Sequence, residues 1–204
     1  MMLSTHMAWG FVWAYALALI LSIAVPSSCQ LVMSATAWFV IAGLFGGGFP
    51  DFDGWESIGL MHRKSCHYIF GYFFATLMLV GIAILSPRSR FWAILFACIT
   101  LGACFHSAID LADGGRNNDL SQGVYEHVFL RRWLRARNWI PFAGMYEWVL
   151  QAFAALWFIP ISASLSQLTA SVPNWLLGML AYAAIWVVSL WYDVHHQVRT
   201  MRRI

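Results

Sequence analysis

The histidine and aspartate residues of this chain gather in short segments that lie far apart in the sequence. The residues that could bind a metal ion are His6, Asp51, Asp53, His62, His67, His106 and Asp110. Imidazole suits zinc and other transition metals, and carboxylates supply the negative charge that balances a divalent cation. Three or four histidines with two or three aspartates exceed the needs of one tetrahedral zinc ion. These residue types therefore predict a metal site, and they are compatible with a two-metal site of the kind that hydrolyses phosphoesters.

The spacing within two of the segments predicts which side chains lie together. His106 and Asp110 are four residues apart, so on a helix they project from one face with Cβ atoms about 5–6 Å apart. Both could bind one ion, or Asp110 could orient a ligand through a hydrogen bond. In "PDFD" the two aspartates follow Pro50, which favours an extended or turn backbone. In an extended backbone Asp51 and Asp53 would point the same way.

The segment "HRKSCH" places two histidines around an arginine. His62 and His67 are five residues apart, which puts them about 140° apart around a regular helix. Either the backbone before His67 is irregular, or only one of the two faces the site. We expect His67 to bind metal and His62 to act in catalysis or to orient a ligand, while the guanidinium of Arg63 suits phosphate oxygens. We assign catalytic roles to Asp53, His62 and Arg63, and metal ligation to His6, Asp51, Asp53, His67, His106 and Asp110.

The composition predicts that membrane helices position these residues. Hydrophobic residues make up 61% of the 204 positions and charged residues 10%, which leaves too few polar side chains to coat a soluble domain. A spanning helix needs about 20 largely apolar residues. We expect an all-α integral membrane protein with about six transmembrane helices, at roughly 8–25, 31–49, 68–86, 91–111, 145–161 and 174–192. The chain reads as one domain over 1–204, with the motifs in 1–115, a basic aromatic loop at 112–144 and two C-terminal helices in 145–192.

The charged residues indicate which side of the membrane carries the site. If the helices alternate in direction, ten of the 12 Lys and Arg residues lie on the side of the N terminus, and Arg88 and Arg90 lie on the other. The positive-inside rule places the first side in the cytoplasm. All nine Asp and Glu residues and all seven His residues map to the same side, which that rule does not explain. We expect a multi-pass protein of the inner membrane, with both termini in the cytoplasm and a reaction centre facing the cytoplasm.

The loop "DLSQGVYEHVFLRRWLRARNWI" predicts a short helix along the cytoplasmic interface. Asp119 and Gln122 resemble a capping box, and Val124, Val128 and Trp133 could share one apolar stripe. Trp and Arg both favour an interfacial position.

Two further groups of residues could serve or shape the site. The arginines of the loop either anchor the topology or hold a lipid phosphate near the metals; they are Arg131, Arg132, Arg135 and Arg137. Glu126 and His127 are adjacent, and neighbours on a helix point about 100° apart, so at most one of them is expected to reach the site. Gly46, Gly47 and Gly48 precede "PDFD", and residues this small allow close helix approach or irregular backbone.

The motifs also occur in a recognisable order, which is His6 before the first helix, then "GGGFPDFD", "HRKSCH" and "HSAID". Over most of residues 1–115 this order resembles the LexA-regulated, membrane-bound family of predicted metal-dependent hydrolases. The resemblance implies hydrolysis that depends on a bound metal. The chain departs from the family's "HRG-x-THS" by carrying Lys64, Cys66 and Tyr68. These departures bear on the identity of the substrate more than on metal binding. The order of ligands is also similar to that of zinc-dependent phospholipase C and the related single-strand nucleases.

The residues and the resemblance together predict a membrane-bound metal-dependent hydrolase of phosphoesters, with phospholipids among the candidate substrates. The expected cofactor is zinc, as one or more ions, and manganese is the alternative. The alternative function is a metal-binding membrane protein with a transport or regulatory role and no hydrolase activity. Transport is disfavoured, because a transport path would place ionisable residues near the membrane middle, where the predicted helices have none. A haem-binding electron carrier is also disfavoured, because axial haem ligands are rarely aspartates. Membrane lipids are expected partners, and nucleic acid is not.

Overall fold

The structure is a computed structural model, and helices make up most of it. It describes residues 3–54, 60, 63–112, 123–135, 137, 145, 148–153, 180, 183–184 and 187–198. The long helices are α1 (Leu3–Ala24), α2 (Cys29–Gly48), α3 (Ile69–Leu85) and α4 (Arg90–Ile109). They fall close to the first four predicted spans, although α1 begins earlier than expected. The prediction of a mainly helical fold is confirmed.

Short elements complete the described chain. A 3₁₀ turn at Pro26–Ser28 joins α1 to α2, and a second one at Phe49–Gly54 follows α2. Two strands, β1 (Val124–Glu126) and β2 (Arg132–Leu134), form an antiparallel pair. Near the C-terminal end, residues 148–153 and 187–192 are helical, and a π-helical turn covers Asp193–Val198.

The connections between helices are short because local hydrogen bonds close them. Between α1 and α2, the Ser28 hydroxyl donates to the carbonyls of Leu21 (2.9 Å) and Val25 (2.6 Å). Between α3 and α4, the Arg90 guanidinium donates from Nε to the carbonyl of Ala83 at 2.8 Å. The bond to Ala83 satisfies a carbonyl in the last turn of α3, which has no partner within the helix. Antiparallel neighbours follow from such short connections.

Small side chains fill the space between the helices. Ala14, Ala18, Ala42 and Ala93 are buried in one cluster around Phe39. Many larger apolar side chains lie on the outside of the helices, among them Ile23, Trp38, Met78, Leu85 and Trp92. Helices packed through small residues, with bulky apolar residues outward, are typical of membrane bundles. A soluble surface rarely carries apolar patches this extensive.

Two of the described helices, α1 and α4, are long and apolar enough to cross a membrane. This is fewer than predicted, so the expected number of six spans is not supported. Helix α3 is apolar but has 17 residues, fewer than the about 20 that span a bilayer without distortion. Most of the predicted spans at 145–161 and 174–192 lies outside the described residues.

The predicted interfacial helix is wrong for residues 123–135, which form a β-hairpin. Glu126 explains the difference, because its carboxylate accepts backbone N–H groups from Val128 (2.6 Å), Phe129 (2.9 Å) and Leu130. Bonds of a side chain to its own loop compete with the helical ladder and stabilise a turn. Val128 and Trp133 are both exposed, whereas Val124 is buried, so the three share no helical stripe. The proposed capping box, Asp119 with Gln122, lies outside the described residues.

Candidate metal centre

Helices α1, α2 and α4 cross at glycines, and this crossing sets the position of two histidines. A Cβ atom on Gly10 would lie 3.0 Å from the Cα of Gly47, and one on Gly102 would lie 2.9 Å from the Gly47 nitrogen. A Cβ on Gly47 itself would overlap the carbonyl oxygen of His6. His6 stands one turn before Gly10, and His106 stands one turn after Gly102. The backbones approach so closely that both histidines reach the same end of the bundle.

His106 lies at the centre of the cluster, and its neighbours fix its tautomer. Its Nδ1 donates to the carbonyl of Gly47 at 2.6 Å, since a carbonyl can only accept. When His106 is neutral, its Nε2 therefore carries the lone pair, which faces Asp51 Oδ1 at 3.5 Å and Asp110 Oδ2 at 3.4 Å. The His6 ring stacks on the His106 ring, with centroids 3.6 Å apart and planes 20° apart. A ligating histidine is commonly held by such a bond from its other nitrogen.

The unmatched polar atoms of this cluster fit a cation. Among the described residues, Nε2 of His106 and both ring nitrogens of His6 are buried without a hydrogen-bond partner. His6 Nε2 is 3.2 Å from Asp110 Oδ1, but the pair is misaligned for a hydrogen bond. A buried lone pair that faces carboxylate oxygens is repelled unless a proton or a metal ion lies between them, and an unpaired buried polar atom is costly. The donor set therefore needs a positive charge between these atoms, which a proton or a divalent ion can supply.

Two groups of side chains are close enough to hold a metal ion. One group is His6, His106 and Asp110, and the other is Asp51, His67 and His106. Within each group the potential ligand atoms lie within 4.8 Å of one another. The predicted metal-binding capacity is therefore supported by buried His/Asp groups, and His106 belongs to both groups.

Asp110 contacts side chains from α1, from the loop before α3 and from its own helix. Its Oδ2 lies 3.0 Å from His67 Nε2, at hydrogen-bonding distance. The Nε of Arg63 is 3.8 Å from the same oxygen, and an Arg63 terminal nitrogen donates to the Asp110 carbonyl at 3.5 Å. Asp110 is the residue that ends α4, and it is 2% exposed. The four-residue spacing of His106 and Asp110 does bring both carboxylate and imidazole to one face, as predicted.

Asp51 forms the accessible edge of the cluster. It lies in the 3₁₀ turn Phe49–Gly54, so "PDFD" adopts the turn alternative of the prediction. The side chain of Asp51 keeps 27% of its surface exposed, whereas that of His106 has none. Burial alone would raise the pKa of the Asp51 carboxyl, but the positive charge of a protonated His106, with its Nε2 3.5 Å away, outweighs burial and lowers this pKa. A substrate or water molecule would meet the site at this carboxylate.

The predicted catalytic residues have different outcomes. His62 and the side chain of Asp53 lie outside the described part of the structure. Arg63 is buried at 5% exposure and has a positive φ of 59°, which is unusual for a residue with a side chain. Its guanidinium faces Asp110, so its contact in this structure is a ligand carboxylate. The proposed contact of Arg63 with phosphate stays a prediction.

Neither Glu126 nor His127 joins the two metal-binding groups of the described residues. The Glu126 carboxylate is turned onto the backbone of its own loop. His127 donates from Nε2 to the carbonyl of Lys64 at 2.7 Å and stacks beside Tyr68, with ring centroids 4.3 Å apart. The expectation that at most one of them would reach the site rested on a helix, whereas these residues lie in the hairpin.

Two polar residues near the C-terminal end were missed as parts of the site. The Asp193 carboxylate accepts the backbone N–H groups of Leu3 (3.1 Å) and Ser4 (2.7 Å). Gln151 donates to the hydroxyls of Ser4 and Thr5, both at 2.9 Å. These bonds hold the first turn of α1, directly before His6. In the sequence, Gln151 is a polar residue within an apolar segment, and Asp193 directly follows another.

Comparison with protein-family models, curated proteins and solved structures finds no match for this chain. The family suggested by "PDFD", "HRKSCH" and "HSAID" therefore stays a prediction.

Proposed function

We propose that this protein is a membrane-embedded hydrolase that cleaves phosphoester bonds with a His/Asp metal centre at the cytoplasmic face. The observation that carries the proposal is the bare Nε2 of His106, buried and directed at the carboxylates of Asp51 and Asp110. These three groups would hold a divalent cation, whose positive charge would offset the two carboxylates. Zinc is the expected ion, because imidazole and carboxylate together match its preferences.

Hydrolysis is supported by the different environments of Asp51 and Asp110. Asp110 is buried and paired with Arg63 and His67, so it would bind the metal and position these side chains. Asp51 is partly exposed beside His106, where its carboxylate can accept a hydrogen bond from an entering water molecule. Divalent ions, when bound, would lower the pKa of water and offset the negative charge that develops on a phosphate.

The position of the ionisable residues favours a surface reaction over transport. His6 lies in the first turn of α1, and His106 lies in the last turn of α4. Between these ends, helices α1 to α4 contain no Asp, Glu, Lys or Arg apart from Arg90 at the start of α4. A transporter would place such residues along its path near the membrane middle.

Membrane embedding is supported by the outer surface of the described helices. Met78 and Leu85 of α3 are 61% and 84% exposed, although α3 carries no charged residue. Burying these side chains in lipid removes the cost of leaving them in water, about 25 cal/mol per Å². We propose a multi-pass bundle in the inner membrane, with the predicted helices at 145–161 and 174–192 completing about six spans.

The proposal is tested by metal content and hydrolysis in the purified full-length protein. Asp110→Asn and His67→Ala each remove a group that touches the cluster, and we expect at least a tenfold loss of zinc affinity. Hydrolysis of a panel of phosphomonoesters, phosphodiesters and phospholipids should fall in parallel. His195→Ala is the matched control, because His195 hydrogen-bonds the carbonyl of Trp191 and belongs to neither metal-binding group.

Two results would count against the proposal. Unchanged metal content in both Asp110→Asn and His67→Ala would remove the metal site itself. Stoichiometric zinc with no hydrolysis of any substrate in the panel would leave a metal-binding membrane protein with a transport or regulatory role.

A further inference from the structure

The hairpin formed by β1 and β2 ends in an exposed apolar tip. Its register pairs Val124 with Leu134 and Tyr125 with Trp133, so residues 127–131 make the turn. Within this turn Val128 is 41%, Phe129 is 61% and Leu130 is 47% exposed. Exposing three consecutive apolar side chains to water at a loop tip is unfavourable in free energy, so contact with an apolar partner would stabilise the tip.

The tip is continuous with the outer face of α3. The ring centroid of Phe129 lies 5.2 Å from that of Phe70 and 5.8 Å from that of Phe74. Both phenylalanines belong to the first turns of α3, at the end of the bundle that carries His67. Further along α3, Leu77 and Met78 are also exposed. The tip and α3 therefore form one apolar surface that begins at the level of the site.

The exposed charged residues beside the tip are all basic. Arg131, Arg132 and Arg135 are exposed, and Glu126 is the sole carboxylate between residues 123 and 135. Glu126 is buried and accepts backbone N–H groups of the turn. The outer surface of the hairpin is therefore apolar at its tip and basic at its side, which complements an anionic lipid surface.

The hairpin is also bonded to the loop that carries His67. The backbone N–H of Tyr125 donates to the carbonyl of Arg63 at 3.0 Å, and His127 donates to the carbonyl of Lys64. The position of the tip therefore fixes residues 63–67, from which His67 reaches Asp110. Any partner that holds the tip also holds one wall of the metal site.

We propose that the hairpin inserts Val128, Phe129 and Leu130 among the acyl chains of an anionic bilayer and places Arg131 and Arg132 on headgroup phosphates. This inference rests on the proposed function, and it names the substrate class as a phospholipid whose phosphate lies at the depth of the site. The apolar tip favours a bilayer over a phosphorylated protein, because a phosphopeptide would use the arginines and leave the tip in water.

Insertion of the tip is tested by photocrosslinking in nanodiscs of phosphatidylcholine and phosphatidylglycerol. Phe129→benzoylphenylalanine keeps an aromatic side chain, and after irradiation we expect lipid adducts in the mass spectrum. Phe73→benzoylphenylalanine is the matched control on the exposed face of α3, and Phe39→benzoylphenylalanine is the control in the buried core. Adducts from position 73 without adducts from position 129, or crosslinks from 129 to a second protein chain, would overturn the inference.

The role of the arginines is tested by the lipids that copurify from mixed nanodiscs. The wild-type protein should retain phosphatidylglycerol in preference to phosphatidylcholine, and Arg131→Gln and Arg132→Gln should each reduce this preference about fivefold. Arg88→Gln is the matched control, because Arg88 is exposed at the opposite end of the helices. An equal loss in Arg88→Gln, or no preference in the wild type, would overturn the inference.

These outcomes separate the inference from the function on which it rests. Zinc binding and phosphoester hydrolysis without lipid adducts at position 129 would refute the hairpin alone. Lipid adducts at 129 in a protein without zinc would refute the metal-dependent function and leave the hairpin as a membrane anchor.

Discussion

At the scale of single residues, the site depends on how His106 is shared. One ring nitrogen is held by the carbonyl of Gly47, which leaves Nε2 as a possible ligand for both metal-binding groups. His6 belongs to one group alone, and Asp51 belongs to the other alone. The contribution of each group can therefore be separated by substitution.

We expect His106→Ala to abolish zinc binding, because it removes a ligand from both groups. His6→Ala and Asp51→Asn should each retain part of the bound zinc, with the affinity of the altered group reduced about 10- to 100-fold. Equilibrium dialysis with elemental analysis measures the stoichiometry. If His6→Ala and Asp51→Asn lose all zinc as completely as His106→Ala, the site holds one ion and the separation into two groups is wrong.

The residue types of the site could be predicted from the sequence, but the contacts between its distant segments could not. The pair His106 and Asp110 is local, since a helix dictates its geometry, and the structure has it as expected. The contacts of Asp110 with Arg63 and His67 are not local, because these two residues approach from another segment. Spacing along the chain carries no information about such distances.

At the scale of elements, the glycine crossing decides whether the histidines meet. Gly47 contributes twice, since its carbonyl holds His106 and its bare Cα admits the backbone of α1. The prediction that Gly46, Gly47 and Gly48 allow close helix approach identified this feature. The partners, Gly10 and Gly102, could not be recognised from a single sequence, because small residues are frequent in all apolar helices.

We expect Gly47→Ala to separate α1 from α2 and to destabilise the protein by about 1–3 kcal/mol through overpacking. Zinc affinity should fall as well, because His6 and His106 move apart. Gly81→Ala is the matched control, since nothing lies within 4 Å of its added Cβ; alanine there should stabilise α3 by about 0.5–1 kcal/mol. Thermal unfolding in detergent compares the two, and equal stability of both variants would contradict the crossing.

The hairpin is the element that sequence periodicity described wrongly. Val124, Val128 and Trp133 fit a helical stripe in spacing, but the bonds of Glu126 to the following backbone favour a turn. A helical spacing that rests on three residues is weaker evidence for structure than a side chain that accepts the backbone N–H groups of its own loop. Tyr125 and Trp133 then face each other across the strands, with centroids 5.6 Å apart.

The hairpin should loosen in acid. Burial alone would raise the pKa of Glu126, but the backbone N–H groups that it accepts outweigh burial and hold this pKa below its ordinary value of 4.5. A carboxyl with a lowered folded-state pKa stabilises fully above the unfolded value, and this contribution is lost as the pH falls through the folded value. We therefore expect the turn to be stable at neutral pH and to weaken below about pH 4.5.

Hydrogen exchange of the peptide that covers 123–135, corrected for intrinsic rates, measures this effect apart from the metal-site carboxylates. Glu126→Gln should be less protected at neutral pH and should lack the acid step. Wild-type protection that stays constant to about pH 3 would show that Glu126 does not hold the turn.

At the scale of the whole molecule, the residues of the candidate site lie at one end of the described helices. Polar side chains that hydrogen-bond the connections between helices lie at the other end. The opposite end is closed by Arg90, whose Nη1 donates to the Ser27 hydroxyl at 3.0 Å. Two native cysteines report on the two ends. Cys29 begins α2 at the Arg90 end and is exposed, and Cys66 lies in the loop beside His67.

We expect a membrane-impermeant maleimide to label Cys29 in right-side-out vesicles and Cys66 in inside-out vesicles. The positive-inside rule gives this orientation, since most Lys and Arg residues accompany the site. Cys29→Ser and Cys66→Ser assign each band. Labelling of Cys66 in right-side-out vesicles would place the metal centre on the outer face of the membrane.

The contacts of Asp193 and Gln151 with the first turn of α1 set the order in which the site can mature during synthesis. Asp193 lies 190 positions after Leu3, so at about 5–20 residues per second the ribosome adds it about 10–40 seconds later. Until then the turn that carries His6 lacks its carboxylate cap, and it gains its amide donor earlier, when Gln151 is made. The nascent chain can therefore insert α1, α2 and α4 before Asp193 is made, so the turn that carries His6 gains its carboxylate cap only after the helical segment at 187–192 has been synthesised.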